Sequence, residues 1–255
     1  MKHLKQPVRI GWRLTLLILH ILLGLLLAAL LLRKAIHPGT LAAQLTLWWH
    51  SRLCKIFGVQ CSTRGNINTA PTLFVVNHIS WFDIPALGSK IPVHFLSKDE
   101  VNSWPIIGWL ARQTGTLYIK RGGQGAAEQS MNDISDTLNR GGHVVIFPEG
   151  TTTDGTSVRK FHSRLFQAAI DAGAPVQPVA LRYPHPDGVH PKAPFIGDTQ
   201  FLQSTLDMMS EKQMLTELEF LPPIDSQGLN RTELAKQCQE QILDAVRVGN
   251  LSENR

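Results

Sequence analysis

From Leu14 to Leu32 the chain is apolar at every position except Thr15, His20 and Gly24. As a helix this run is about 28 Å long, nearly the thickness of a bilayer's hydrocarbon core. Arg9 and Arg13 precede it, Arg33 and Lys34 follow it, and Trp12 sits where an interfacial tryptophan anchors a helix end. A cleaved signal peptide is the competing reading. Basic residues follow the run directly, however, and no A-x-A site closes it, so the pattern favours a retained membrane segment. From Leu41 to Val59 the pattern changes. Leu45, Trp48, Trp49, Leu53, Ile56 and Phe57 recur at helical spacing among Gln44, His50, Ser51, Arg52 and Lys55, which predicts an amphipathic helix. Pro38-Gly39 lets the chain turn between the two, so the second helix can lie along lipid headgroups or pack on a domain core.

Past Pro71, short apolar runs alternate with longer helical patterns. Strands are expected at Leu73–Val76, His94–Leu96, Thr116–Ile119, Val144–Phe147, Val176–Leu181 and Glu217–Leu221. Helices are expected at Asp83–Lys90, Trp104–Arg112, Gly125–Asn139, Phe161–Ala172 and Arg231–Val248, the last capped by Asn230. Such alternation predicts an α/β fold, a mixed and largely parallel sheet flanked by helices, behind an N-terminal membrane-embedded two-helix element. The expected division is an anchoring hairpin over 1–62 and a catalytic domain over 63–255.

Composition sharpens this division. The chain carries 25 Lys and Arg against 20 Asp and Glu, a net charge of +5, which alone would suit nucleic acid, a phosphate ligand or anionic lipid. Residues 1–82 hold nine of the basic residues and no acidic one, so the remainder is slightly acidic at −4. Anionic headgroups attract such a basic segment by about 1 kcal/mol per nearby cation. Nucleic acid is then not needed to explain the charge. Positive residues flank the apolar run on both sides, which fits a hairpin in one leaflet with both flanks cytoplasmic. The three cysteines, Cys54, Cys61 and Cys238, have no metal-knuckle spacing and read as thiols without a redox role.

Candidate chemistry gathers where strands end, the usual place for ligand groups in open α/β sheets. The first strand of the body runs into Asn77-His78-Ile79-Ser80-Trp81-Phe82-Asp83. A histidine is a base near neutral pH, and a carboxylate on its second ring nitrogen fixes the tautomer. His78 and Asp83 can meet only if the histidine lies on the turn before a helix and the aspartate in its first turn. Ser80-x-x-Asp83 equally fits a capping box, and the residues alone leave both readings open. A second cluster, Phe147-Pro148-Glu149-Gly150-Thr151-Thr152-Thr153-Asp154-Gly155, offers glycines for close approach, hydroxyls and an amide nest for an anion, or a plain turn at Asp154-Gly155. Arg159, Lys160, His162 and Arg164 follow it, and Lys120-Arg121 precede it; these suit a phosphate. No G-x-S-x-G, G-x-x-x-x-G-K-[ST] or H-E-x-x-H motif occurs, which sets serine hydrolase, nucleotide hydrolase and zinc protease readings aside.

Asn77-His78-x4-Asp83 followed by Phe147-Pro-Glu-Gly-Thr151 resembles the glycerolipid acyltransferases, specifically the bacterial 1-acyl-glycerol-3-phosphate acyltransferases. Phe95-Leu-Ser-Lys98-Asp-Glu100, Pro105-Ile-Ile-Gly108-Trp109, Gly115–Arg121 and Ala174–Val179 extend the likeness over about residues 10–245. The resemblance implies His78 as general base and Asp83 as its orienting partner. It implies Lys120 and Arg121 on the acceptor phosphate, Glu149, Gly150 and Thr151 on the glycerol phosphate, and Pro178 in a block tied to the acyl donor. It implies phosphatidate formation from lysophosphatidate and an acyl-CoA or acyl-carrier protein at the bacterial cytoplasmic membrane, facing the cytoplasm, with membrane lipid as partner. No metal and no cofactor beyond the acyl-donor substrate are implied. One departure concerns the acceptor: familiar members continue the third block with arginine-serine, whereas Thr151-Thr152-Thr153-Asp154 stands here, a variation also seen in enzymes acylating other lysolipids such as lyso-ornithine lipid. A catalytically silent lipid-binding scaffold is the reading from a different class.

Overall fold

The computed structural model describes residues 5–31, 37–119 and 125–252. Helix α1 (Gln6–Leu31) is followed by α2 (Leu41–Phe57), with the turn at Pro38-Gly39 between them. Thr40 Oγ1 caps α2 by accepting from Ala43 N at 3.2 Å, and Gly58 ends it in the left-handed region at φ 75°. The polar interruptions of the apolar run have a structural reason. His20 bonds Trp49 O at 3.1 Å and stacks on the Trp49 ring at 4.8 Å. One turn on, Gly24 admits that indole so closely that a Cβ would lie 2.7 Å from its Nε1. Arg9, Arg13, His20, Gly24 and Ala28 thus form the buried stripe of α1, while Ile18, Leu19, Leu22, Leu23, Leu26 and Leu30 are exposed.

The two arginines of that stripe do not face outward as flanking charges. Arg13 donates to the carbonyls of Met209 (2.9 Å), Glu211 (2.5 Å) and Lys212 (3.2 Å), and Arg9 donates to that of Ser210. The carbonyls of Met209 and Ser210 end a helix described below, whose last turn has no intrahelical donors for them, and those of Glu211 and Lys212 follow directly after it.

The body opens with β1 (Val59–Gly65) and the central strand β2 (Leu73–Val76), followed by α3 (Asp83–Gly88) and β3 (His94–Lys98). Next come α4 (Asp99–Asn102), α5 (Ile107–Gln113) and β4 (Leu117–Ile119), then α6 (Ala126–Asn139) and β5 (Val144–Ile146). A 3₁₀ turn (Ser163–Phe166) leads into α7 (Gln167–Asp171), β6 (Val176–Arg182), the short β7 (Pro184–His185) and β8 (Gly188–Val189), α8 (Phe201–Ser210), β9 (Met214–Phe220) and α9 (Arg231–Ser252). Seven strands form one sheet in the order β1-β9-β6-β2-β5-β3-β4. Only β6 and β9 pair antiparallel within it, so the sheet is mixed and largely parallel.

β2 is buried at all four positions because both faces of the sheet are covered. Its alternate residues serve two cores. Phe74 and Val76 pack with α2, α3 and α8, and α1 adds Ile10, Leu14, Leu16 and Leu17; Leu73 and Val75 pack with α6, α7 and α9. β1 was not expected from the sequence, and it carries the chain across residue 62 into the sheet by pairing Val59–Gly65 with Met214–Phe220. α8 was likewise unforeseen. The helix expected over 161–172 is divided into the 3₁₀ turn and α7, and that expected over 104–112 begins only after Pro105. The thiols of Cys54 and Cys61 lie 3.7 Å apart where α2 meets β1.

Candidate active site

The parallel strands β2 and β5 end side by side, and the residues that follow them line one cavity of about 1210 Å³. After β2, the Asn77 side chain imitates a strand neighbour: its Nδ2 donates to Leu181 O at 2.9 Å and its Oδ1 accepts from Leu181 N at 2.8 Å. This pair fixes the chain just before His78. The turn then brings His78 Nδ1 to 2.7 Å from Asp83 Oδ2, with Asp83 fully buried in the first turn of α3. Oδ2 also accepts from the backbone N–H of Ile79 (2.8 Å) and Ser80 (3.0 Å). Asp83 is therefore the partner of the histidine, and of the expected capping box only the return bond to Ser80 N forms, since α3 has no side-chain cap at its start. Ser80 Oγ takes no part, being buried without a hydrogen-bond partner among the described residues.

With its Nδ1 proton given to Asp83, His78 keeps a lone pair on Nε2, the nitrogen a base needs. The imidazole stacks on Phe147 at 4.1 Å, and its side chain is 19% exposed toward the cavity. Behind it, the buried Glu149 spans two segments: Oε1 accepts from His78 N and Oε2 from Arg159 N, both at 2.8 Å. Burial raises the Glu149 pKa, and those two amides, with the His78 ring, counter the rise. Thr153 N donates to His78 O at 2.8 Å, and His162 N to Pro148 O at 2.9 Å. The second cluster is thereby laced to the His78 turn. Gly150 takes φ 69°, a conformation that favours glycine.

Gly150, Thr151 and His78 all line the cavity, with Lys98, Arg159 and Arg164 as its cations. Among the described residues these three cations make no side-chain hydrogen bond or ion pair. Asp154 also lines it, held ionised chiefly by the Thr156 backbone N–H. Apolar walls come from Trp81, Ile84, Leu96, Trp104 and Ile119. Lys160 does not line the cavity, and neither does Pro178, which sits within β6 opposite Val75. Lys120 and Arg121 lie outside the described residues. Sequence reasoning missed Lys98 as a wall residue, and it missed Tyr183, whose hydroxyl donates to Asp83 Oδ1 at 2.7 Å.

A family model described as Acyltransferase matches residues 58–182. The lyso-ornithine lipid O-acyltransferase of Pseudomonas aeruginosa is 44% identical over 225 residues, covering 86% of each chain. The chain belongs to the acyltransferase family. The 1-acyl-sn-glycerol-3-phosphate acyltransferase of Neisseria gonorrhoeae is 34% identical to this acyltransferase over 175 residues, covering 68% of it and 69% of the relative. Its fold is shared with the crystal structure of the 1-acyl-sn-glycerophosphate acyltransferase PlsC from Thermotoga maritima, at a TM-score of 0.71 and 18% identity over 97% of each chain.

Proposed function

We propose that this acyltransferase moves a fatty acyl group from an acyl thioester, acyl-CoA or acyl-carrier protein, to the free hydroxyl of a membrane lysolipid. The observation that carries the reading is the 2.7 Å contact between His78 and the buried Asp83 at the wall of the cavity. His78 Nε2 takes the hydroxyl proton as the oxygen attacks the thioester carbonyl. The carbon–sulfur bond then breaks, and the thiolate leaves with that proton, so no acyl-enzyme forms. Asp83 holds the tautomer and balances the imidazolium. Glu149 places the loop bearing Gly150 and Thr151 against the acceptor, and Lys120 and Arg121 complete the acceptor's anion site.

The acceptor that this machinery fits is 1-acyl-glycerol-3-phosphate, giving phosphatidate, since Lys98, Arg159 and Arg164, without side-chain partners among the described residues, line the cavity. A second acceptor, lyso-ornithine lipid, is supported by the 44% identical relative of that name. It is also supported by Asp154, a carboxylate in the cavity wall suited to a cationic amine on the acceptor. The exposed leucine face of α1 supports membrane association. The use of thioester donors supports the cytoplasmic face of the bacterial inner membrane.

Thiol release from a long-chain acyl-CoA, measured with each acceptor for wild type and His78→Ala, tests both parts. The variant is expected to lose about 10²–10⁴-fold, and retention of most activity rejects His78 as the base. Turnover with lyso-ornithine lipid and little with lysophosphatidate selects the second acceptor.

A further inference from the structure

We infer that Tyr183 is a positioning residue for acyl transfer, its hydroxyl fixing the Asp83 carboxylate and, through it, the His78 imidazole. The inference rests on the roles proposed above for His78 and Asp83. The three donors to Asp83 Oδ2, namely His78 Nδ1, Ile79 N and Ser80 N, all come from residues 78–80. That turn and α3 could move as one piece without breaking any of these bonds. The donor to Oδ1 is different, because Tyr183 stands 100 residues away, directly after β6. β6 is an interior strand between β9 and β2.

The tyrosine can act as a fixed post. It is 1% exposed, packs in the core with Phe82, and has its carbonyl held by His190 N at 2.8 Å. Asn77 ties the start of the same turn to Leu181, two residues before Tyr183. The His78 turn is therefore fastened to the end of β6 at both of its ends, by an amide at Asn77 and by a phenol at Asp83. Burial and the adjoining Asp83 charge push the phenol's pKa well above its ordinary value. It remains a donor wherever the enzyme works.

A hydroxyl dipole aimed at Asp83 stabilises the carboxylate charge and lowers its pull on the imidazole proton. Removing it makes Asp83 a stronger partner for imidazolium, so the acid limb of the pH profile should move to higher pH. Among the described residues, the other titratable or charged groups near His78 are Glu149 behind it and Lys98, Arg159, His162, Arg164 and Asp154 across the cavity. Behind Tyr183 are the thiols of Cys54 and Cys61. None of these is altered by changes at the phenol oxygen.

The test is the pH dependence of kcat/KM for thiol release by the full chain in lipid vesicles. Tyr183→Phe should move the acid limb up by ~0.5 pH unit or more and lower kcat at neutral pH by about tenfold with acceptor KM little changed. A second arm replaces tyrosine by 3,5-difluorotyrosine in a Tyr118→Phe background, which leaves Tyr183 as the single tyrosine of the two in the chain. The fluorinated phenol is a stronger donor at unchanged shape, so the limb should move down. Opposite shifts in the two arms support the inference, and this second arm still decides if Tyr183→Phe fails to fold. Limbs that superimpose on wild type in both arms, with His78→Ala inactive, overturn it while leaving the catalytic base in place. An active His78→Ala overturns the underlying reading instead.

Discussion

The two longest helices, α1 with 26 residues and α9 with 22, are built on opposite plans. α9 buries Leu234, Ala235, Cys238, Ile242 and Val246 against the sheet and turns Lys236 and Glu240 outward. This is how a helix between a core and water is patterned. α1 buries arginines, a histidine, a glycine and an alanine, and turns Leu19, Leu22, Leu23, Leu26 and Leu30 out. Its most apolar stretch has a mean hydropathy of 2.3, yet only 22% of it is buried within the protein. Water would penalise that arrangement, whereas hydrocarbon tolerates leucine outside and small or polar residues at the helix contact. The contrast shows that hydrophobicity alone does not reveal which side of a helix meets its neighbours. The few residues that break the pattern do.

Exchanging the leucine face of α1 should give the largest effect. Leu19, Leu22 and Leu26, each more than half exposed, changed together to serine should weaken binding to phospholipid vesicles by roughly 5 kcal/mol, read by vesicle flotation, with the unfolding temperature nearly unchanged. Unaltered flotation would break the comparison. In α9 the signs reverse: Ile242→Ala should cost ~2–5 kcal/mol of stability by thermal or denaturant unfolding and leave vesicle binding intact. Smaller still, Arg13→Met should cost about 1.5–3 kcal/mol, because the carbonyls at the end of α8 lose their donor. Loss of vesicle binding in that variant, without loss of stability, would mean that Arg13 meets headgroups rather than α8.

Much of the architecture was legible along the chain where both faces of an element are buried, as in Leu73–Val76, Val144–Ile146 and Val176–Arg182. β1 was not. It is mostly exposed after Val59, and Cys61-Ser-Thr-Arg64 shows no alternation to betray a strand. The His78 turn could be located from its spacing, and the structure resolves its double use by giving Asp83 Oδ2 both the ring and the backbone donors. Tyr183 could not be found, because a contact between residues 83 and 183 leaves no local pattern. The same holds for Arg9 and Arg13, which look like flanking charges until the end of α8 comes to meet them.

That meeting has a timetable. The carbonyls that hold Arg13 lie 196 to 199 residues farther along the chain. At a synthesis rate of ~5–20 residues per second, about 10–40 s pass between the making of the guanidinium and the making of its partners. During that interval the amino end of α1 exists without the carbonyls that it meets in the finished fold. The docking of α1 on the end of α8 is therefore a late step of assembly, closed only when the last fifth of the chain has been reached.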